Sequence, residues 1–134
     1  MRVLLLGATG NLGLRLIPAL LAHNHTVIIY VRNPKKLHEL VPETLTSRST
    51  IVVGDATDSE GIRKALVEHN CDGIVDTAGN QVLPWKEFLL QKIAKAVSDA
   101  AIIVGRERGR PLRAWFLGGL TLLRIPGTTY LVRD

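Results

Sequence analysis

The feature that most constrains this chain is a glycine-rich heptapeptide, Gly7-Ala8-Thr9-Gly10-Asn11-Leu12-Gly13. It lies between a strand-length apolar run, Arg2 to Leu6, and a pattern with helical spacing. A short run with no polar alternation reads as a strand buried on both faces, the habit of parallel sheets covered by helices. The chain must then turn sharply from strand to helix. Glycine permits that, because it tolerates unusual dihedrals and has no side chain.

The same alternation continues. Asn11 to about His23 reads as a helix with Leu12, Leu16, Ala19 and Leu20 on one face, interrupted by Pro18. Thr26 to Val31 is a second strand, and Pro34 starts a short helix to about Leu40. Val41 to Ser49 is polar and reads as a loop before a third strand, Thr50 to Val53. Asp58 or Ser59 caps a helix running to about Asn70, and Asp72 to Asp76 is a fourth strand. A long helix is expected from about Trp85 to Val104, with Phe88, Leu89, Ile93, Ala96, Val97 and Ala100 at helical spacing. Gly105 to Pro111 is a basic loop, and Leu112 to Leu117 is a fifth strand closed by Gly118-Gly119. Strands joined by helical crossovers are parallel, and the crossovers are right-handed. The expected architecture is α/β: a Rossmann-type doubly wound parallel sheet of five strands in the order 3-2-1-4-5, one domain over residues 1–134.

At the first loop, the free amides and positive end of the following helix favour a phosphate group. Gly7 and Gly10 let a pyrophosphate approach the backbone, and Gly13 lets the helix pack closely on the strand. Thr9 and Asn11 add polar side chains that can cap the helix or reach a ligand, and Leu12 completes the loop. A glycine pattern alone is weak, but this one ends a strand, opens a helix and starts a β-α-β unit. Its spacing is G-x-x-G-x-x-G, since Ala8 stands where G-x-G-x-x-G would need a glycine. In that form it resembles the extended and atypical short-chain dehydrogenase/reductase superfamily, especially the NmrA-like proteins, over nearly the whole chain.

The end of the second strand bears on which dinucleotide is bound. NAD binders place an acidic residue there for the ribose 2′-hydroxyl. This chain has Arg32, followed by Asn33-Pro34-Lys35-Lys36. A guanidinium pairs with a 2′-phosphate that a carboxylate would repel, so NADP(H) is favoured over NAD(H). The Val31-Arg32-Asn33-Pro34 segment also resembles the NADP-binding run of the NmrA-like proteins. The resemblance further implies that Asp55 and Ala56 meet the adenine, although Asp55 could instead cap the next helix. It implies that Thr77, Ala78 and Gly79 line the ribose and nicotinamide side, where small residues let a ligand lie against the backbone.

The family's catalytic pair is missing. Four residues after Tyr30 and Tyr130 stand Pro34 and Asp134, so no Tyr-x-x-x-Lys exists, and the catalytic residues are unknown. His23 and His25 lack a third ligand at recognisable spacing, so no metal site is expected. Ser98-Asp99 has no nearby histidine. The net charge of +5 gathers partly at Arg106, Arg108, Arg110 and Arg113, read as a solvated loop because no nucleic-acid motif accompanies them. No apolar stretch is long enough to span a membrane, and the single Cys71 reads as a small buried residue in a cytoplasmic protein.

Two functions stay open on the sequence. One is an NADP(H)-dependent oxidoreductase, or its cofactor-binding part, acting on a small carbonyl or quinone. The other is a non-catalytic NADP(H)-sensing regulator that binds a protein partner, as NmrA-like proteins do. A third, weaker reading is a truncated domain without activity. The resemblance implies further strands and a C-terminal substrate region that this chain lacks. The fifth strand would then be an exposed edge suited to a second copy or another protein.

Overall fold

The computed structural model describes residues 1–79 and 87–117. Its strands are β1 (Arg2–Leu6), β2 (Thr26–Val31), β3 (Thr50–Val53), β4 (Gly73–Asp76) and β5 (Arg113–Phe116). Its helices are α1 (Asn11–Ala22), α2 (Pro34–Leu40), α3 (Glu43–Thr46), α4 (Ser59–Glu68) and α5 (Leu90–Glu107). All strand pairings are parallel, in the order β3-β2-β1-β4-β5. This is the expected Rossmann-type arrangement. The expected helix start near Trp85, Asn80, Gly118-Gly119 and the tail with Tyr130 lie outside the described residues.

Strand alternation divides the core into two layers. Leu4, Leu6, Ile28 and Ile74 pack with Ile62 and Leu66 of α4 and Ile93 and Val97 of α5. Leu5, Val27 and Ile29 face the opposite way, onto Ile17 and Leu21 of α1 and Leu37 of α2. Leu4, Leu5 and Leu6 are all fully buried, each contributing about 2 kcal/mol by removal from water. Helices on both faces explain why β1 shows no polar alternation.

Register then lines up the strand ends. Leu6 pairs with Tyr30 on one side and Asp76 on the other, and Asp76 pairs with Phe116. The loops after β1, β2 and β4 therefore leave the sheet side by side. That juxtaposition, at the switch between β1 and β4, is where open parallel sheets form a crevice.

Four local expectations need correction. The inner stripe of α1 is Gly13, Ile17 and Leu21, whereas Ala19 is exposed and Leu12 is 38% exposed. A Cβ on Gly13 would lie 2.1 Å from the Gly7 carbonyl oxygen, so the glycine must face the loop, and the helix turns accordingly. Leu16 and Leu20 remain partly buried at the margin of the stripe, and Pro18 sits exposed within a continuous helix. Second, the expected loop before β3 contains α3, a single turn too short to show a helical period. Third, α5 runs through Gly105, which is buried against Arg110 and Leu112, and the chain turns at Gly109 with φ +66°. Phe88 stands before the helix and is exposed.

The fourth correction concerns the arginine cluster. Arg106 is helical, and Arg108 is half-buried rather than solvated. Its guanidinium donates to the carbonyls of Cys71 (2.5 Å) and Leu66 (3.0 Å). A cation there suits the negative dipole end of α4 and adds a second bond to the Leu66 carbonyl, which also accepts from the Cys71 amide at 2.9 Å. Cys71 is buried as expected, and burial pushes its thiol pKa up to about 11.

Candidate functional site

The crevice at the C-terminal ends of the strands holds a cavity of about 300 Å³. Its first wall is the β1–α1 loop, with Gly7, Ala8, Thr9 and Gly10. Gly7 has φ +77°, a conformation that disfavours any residue with a side chain. A Cβ there would also fall 2.4 Å from the Ala78 nitrogen. The Gly10 amide donates to the Gly7 carbonyl at 2.9 Å and closes the turn.

Helix α1 then starts with an open end. Gly10 is its N-cap and supplies no side-chain hydrogen bond, and its first turn holds no acidic residue. The first intrahelical bond from this end runs from Leu14 N–H to the Gly10 carbonyl. The amides of Asn11, Leu12 and Gly13 precede it and have no partner inside the helix. These three residues do not line the cavity with their side chains. Asn11 accepts from Arg15, Leu12 is exposed, and Gly13 faces the Gly7 carbonyl. What they offer the crevice is backbone N–H and the positive end of a helix dipole.

The second wall is the end of β2. Arg32, Asn33 and Lys36 line it beside Tyr30 and Val31. The Asn33 side chain accepts from the Lys36 amide at 3.1 Å and caps α2. Arg32 is exposed, and its charge helps to hold the Asp55 carboxyl below the ordinary range.

The third wall follows β3, with Gly54, Asp55, Ala56 and Thr57. Asp55 Oδ1 accepts from the Thr57 amide (2.8 Å) and the Thr57 hydroxyl (2.7 Å). These bonds, the amide's foremost, lower the Asp55 pKa, so it is ionised at neutral pH. Asp55 does not cap α4; Asp58 does, accepting from the Glu60 amide at 3.1 Å.

The fourth wall carries Thr77, Ala78 and Gly79, with Leu89 and Ile93 from the start of α5. The Thr77 hydroxyl donates to the Leu6 carbonyl at 2.8 Å, which ties this loop to β1. Asp76, just before it, is 4% exposed and accepts from the Ala78 amide at 2.9 Å. Burial raises its pKa despite that bond.

The fold thus brings Gly7, Thr9, Gly10, Arg32, Asp55, Ala56, Thr77, Ala78 and Gly79 to one cavity. Tyr30 and Lys36 line the same cavity, as do Asn33, Gly54 and Thr57, and none of these is among the expected site residues. Lys36 could have been found from its place in the basic run after β2. Tyr30 reads as a strand residue, and only the fold turns it into the crevice.

A glycine cradle, an open helix end and a basic strand end suit a dinucleotide. Residues 7–108 match the NAD(P)H-binding family. The chain belongs to that family. It binds NAD(P)H as a member, through a fold shared with solved dehydrogenases and reductases. The leucoanthocyanidin reductase–NADPH complex from Vitis vinifera superposes with a TM-score of 0.64 and 27% identity. That match covers 78% of this chain and 33% of the reductase. A short-chain dehydrogenase from Streptomyces avermitilis gives 0.66 and 25%, covering 92% of this chain and 51% of the other. A Bordetella bronchiseptica enzyme in complex with NAD and UDP shares the fold, with a TM-score of 0.65 and 21% identity over 100% of this chain and 42% of its own. The chain spans between about a third and about half of the length of these three structures. No curated protein matches the sequence. Among the described residues, no helix is long and apolar enough to cross a membrane.

Proposed function

We propose that the chain holds NADP(H) in preference to NAD(H), as the cofactor-binding part of an oxidoreductase acting on a small carbonyl or quinone. The observation that carries this reading is the cation pair at the end of β2. Arg32 and Lys36 both line the cavity, and no carboxylate occupies that strand end. A 2′-phosphate there would meet a guanidinium that pairs in a bidentate fashion and an ammonium beside it. Asp55 and Ala56 would face the adenine, and the amides of Asn11, Leu12 and Gly13 would receive the pyrophosphate. Thr77, Ala78 and Gly79 would lie along the nicotinamide ribose. The cofactor supplies the hydride, while these residues bind and orient it. The NADPH of the leucoanthocyanidin reductase complex supports this choice by similarity.

Calorimetric titration of NADP⁺ and NAD⁺ tests the reading. Wild type is expected to prefer NADP⁺ by about tenfold or more, the worth of a charge-assisted contact. Arg32→Ala should bring the two affinities close together. An undiminished preference in Arg32→Ala would remove Arg32 as the 2′-phosphate ligand.

The missing Tyr-x-x-x-Lys pair favours a second reading, an NADP(H)-sensing regulator of the NmrA-like type that binds a protein partner. A ligand shifts an equilibrium only through differential binding. A sensor's partner must therefore bind the NADP⁺ and NADPH forms with different affinity, and equal affinity would sink this reading.

A further inference from the structure

Tyr30 is buried, with 4% of its surface exposed, yet it lines the cavity. Its ring runs from β2 beneath the loop that follows β3. A Cβ on Gly54 would lie 2.2 Å from the phenol oxygen and 2.3 Å from Cζ. A Cβ on Gly61, in the first turn of α4, would lie 2.6 Å from the same oxygen and 2.8 Å from Asp58 Oδ2. Two glycines, on either side of the loop, thus make room for one hydroxyl.

That hydroxyl donates to the Asp55 carbonyl at 3.4 Å. Burial, with the nearby charges of Asp58 and Asp55, raises the phenol pKa, so the proton stays on the oxygen at neutral pH. At its other end, Asp55 is gripped through Oδ1 by the Thr57 amide and hydroxyl. Tyr30 and Thr57 therefore hold Asp55 from both its carbonyl and its carboxylate.

We propose that Tyr30 is a positioning residue for the adenine end of the ligand, fixing the loop 54–57 through the Asp55 carbonyl, with Gly54 and Gly61 retained to admit its hydroxyl. The proposal rests on the reading that the adenine lies against Asp55 and Ala56. Its competitor is simple packing, in which Tyr30 only fills space between β2 and α4.

A double-mutant cycle on the full chain separates the two. Wild type, Tyr30→Phe, Gly61→Ala and the double variant are titrated with NADP⁺ and with adenosine 2′,5′-bisphosphate, and their thermal unfolding is followed. Tyr30→Phe should weaken both ligands about fivefold, the worth of one hydrogen bond. In the wild-type background, Gly61→Ala should lower Tm, because the methyl meets the Tyr30 hydroxyl. In the Tyr30→Phe background the loss should be smaller, because the hydroxyl is gone and only Asp58 Oδ2 still meets the methyl. The double variant should lose less Tm than the two single variants together, without regaining affinity. Affinity that returns together with Tm overturns the positioning role and leaves packing. Unchanged affinity in Tyr30→Phe overturns it too, as does an equal loss of Tm from Gly61→Ala in both backgrounds. Wild type that binds neither ligand would instead overturn the reading of the adenine site itself.

Discussion

The two edges of the sheet meet the same problem in opposite ways. Helix ends carry polar backbone groups without partners inside the helix. At the N-terminal edge of the strands, the end of α4 is closed by the chain's own side chains. Arg108 donates to the Leu66 and Cys71 carbonyls, Arg2 Nε donates to the His69 carbonyl at 2.7 Å, and Asp72 accepts from the Arg2 amide at 2.7 Å. At the C-terminal edge, α2 and α4 have their caps in Asn33 and Asp58, but α1 begins at a glycine that offers none. The contrast separates a structural use of charge from a binding one. Where the protein satisfies its helix end, the edge is scaffold; where it leaves α1 open beside a cavity, the edge serves a ligand.

The largest expected effect is at the open edge. Gly7→Ala puts a side chain at φ +77° and into the backbone of Thr77 and Ala78. Strain and overpacking together should cost about 3 kcal/mol in chemical denaturation. Wild-type stability in this variant would mean that the β1–α1 turn is not held as described. Next comes the closed edge. Arg108→Ala removes two charge-assisted bonds and should cost about 2 kcal/mol, with NADP⁺ affinity within about twofold of wild type. If affinity fell in proportion, the two edges would not be separate in function.

The smallest effects are in pH dependence, and they should differ in sign between the edges. Asp76, buried beside the cavity, has a raised pKa, so its folded form holds its proton more tightly than the unfolded chain does. Its contribution is full below the ordinary carboxylate range, about pH 4, and is lost as pH rises through its raised value. Asp76→Asn keeps an acceptor for the Ala78 amide without the charge, so its stability relative to wild type should improve as pH rises above the ordinary carboxylate range. Asp72 is the reverse case. Its bond from the Arg2 amide lowers its pKa, so its contribution stands above the ordinary range and is lost as pH falls. Asp72→Asn should be less stable than wild type near neutrality, with the gap closing in acid. Parallel pH curves for the two variants would erase the contrast.

Much of the scaffold was legible because its cues are local. The apolar run of β1, the Asp58 cap and the Pro34 start of α2 each follow from residues close in sequence. So does the placement of Arg32 at a strand end. The stripe of α1 is not legible in the sequence because glycine carries no hydrophobic weight, although Gly13 sets which face turns inward. The arginine cluster looks uniform in the sequence because nothing in its spacing distinguishes Arg108 from its neighbours. Only the approach of α4 brings the Leu66 and Cys71 carbonyls within its reach.

By itself, the order of residues determined the strand–helix alternation and the glycine loop at Gly7, Gly10 and Gly13. These depend on backbone sterics and hydrophobic period, which act over a few residues. The tertiary structure decided which similar side chains turn inward. It placed Tyr30 between Gly54 and Gly61, buried Asp76 and assigned Arg108 to α4. Those outcomes depend on contacts between residues distant in the chain, which exist only once the parallel sheet has brought their loops to the same edge.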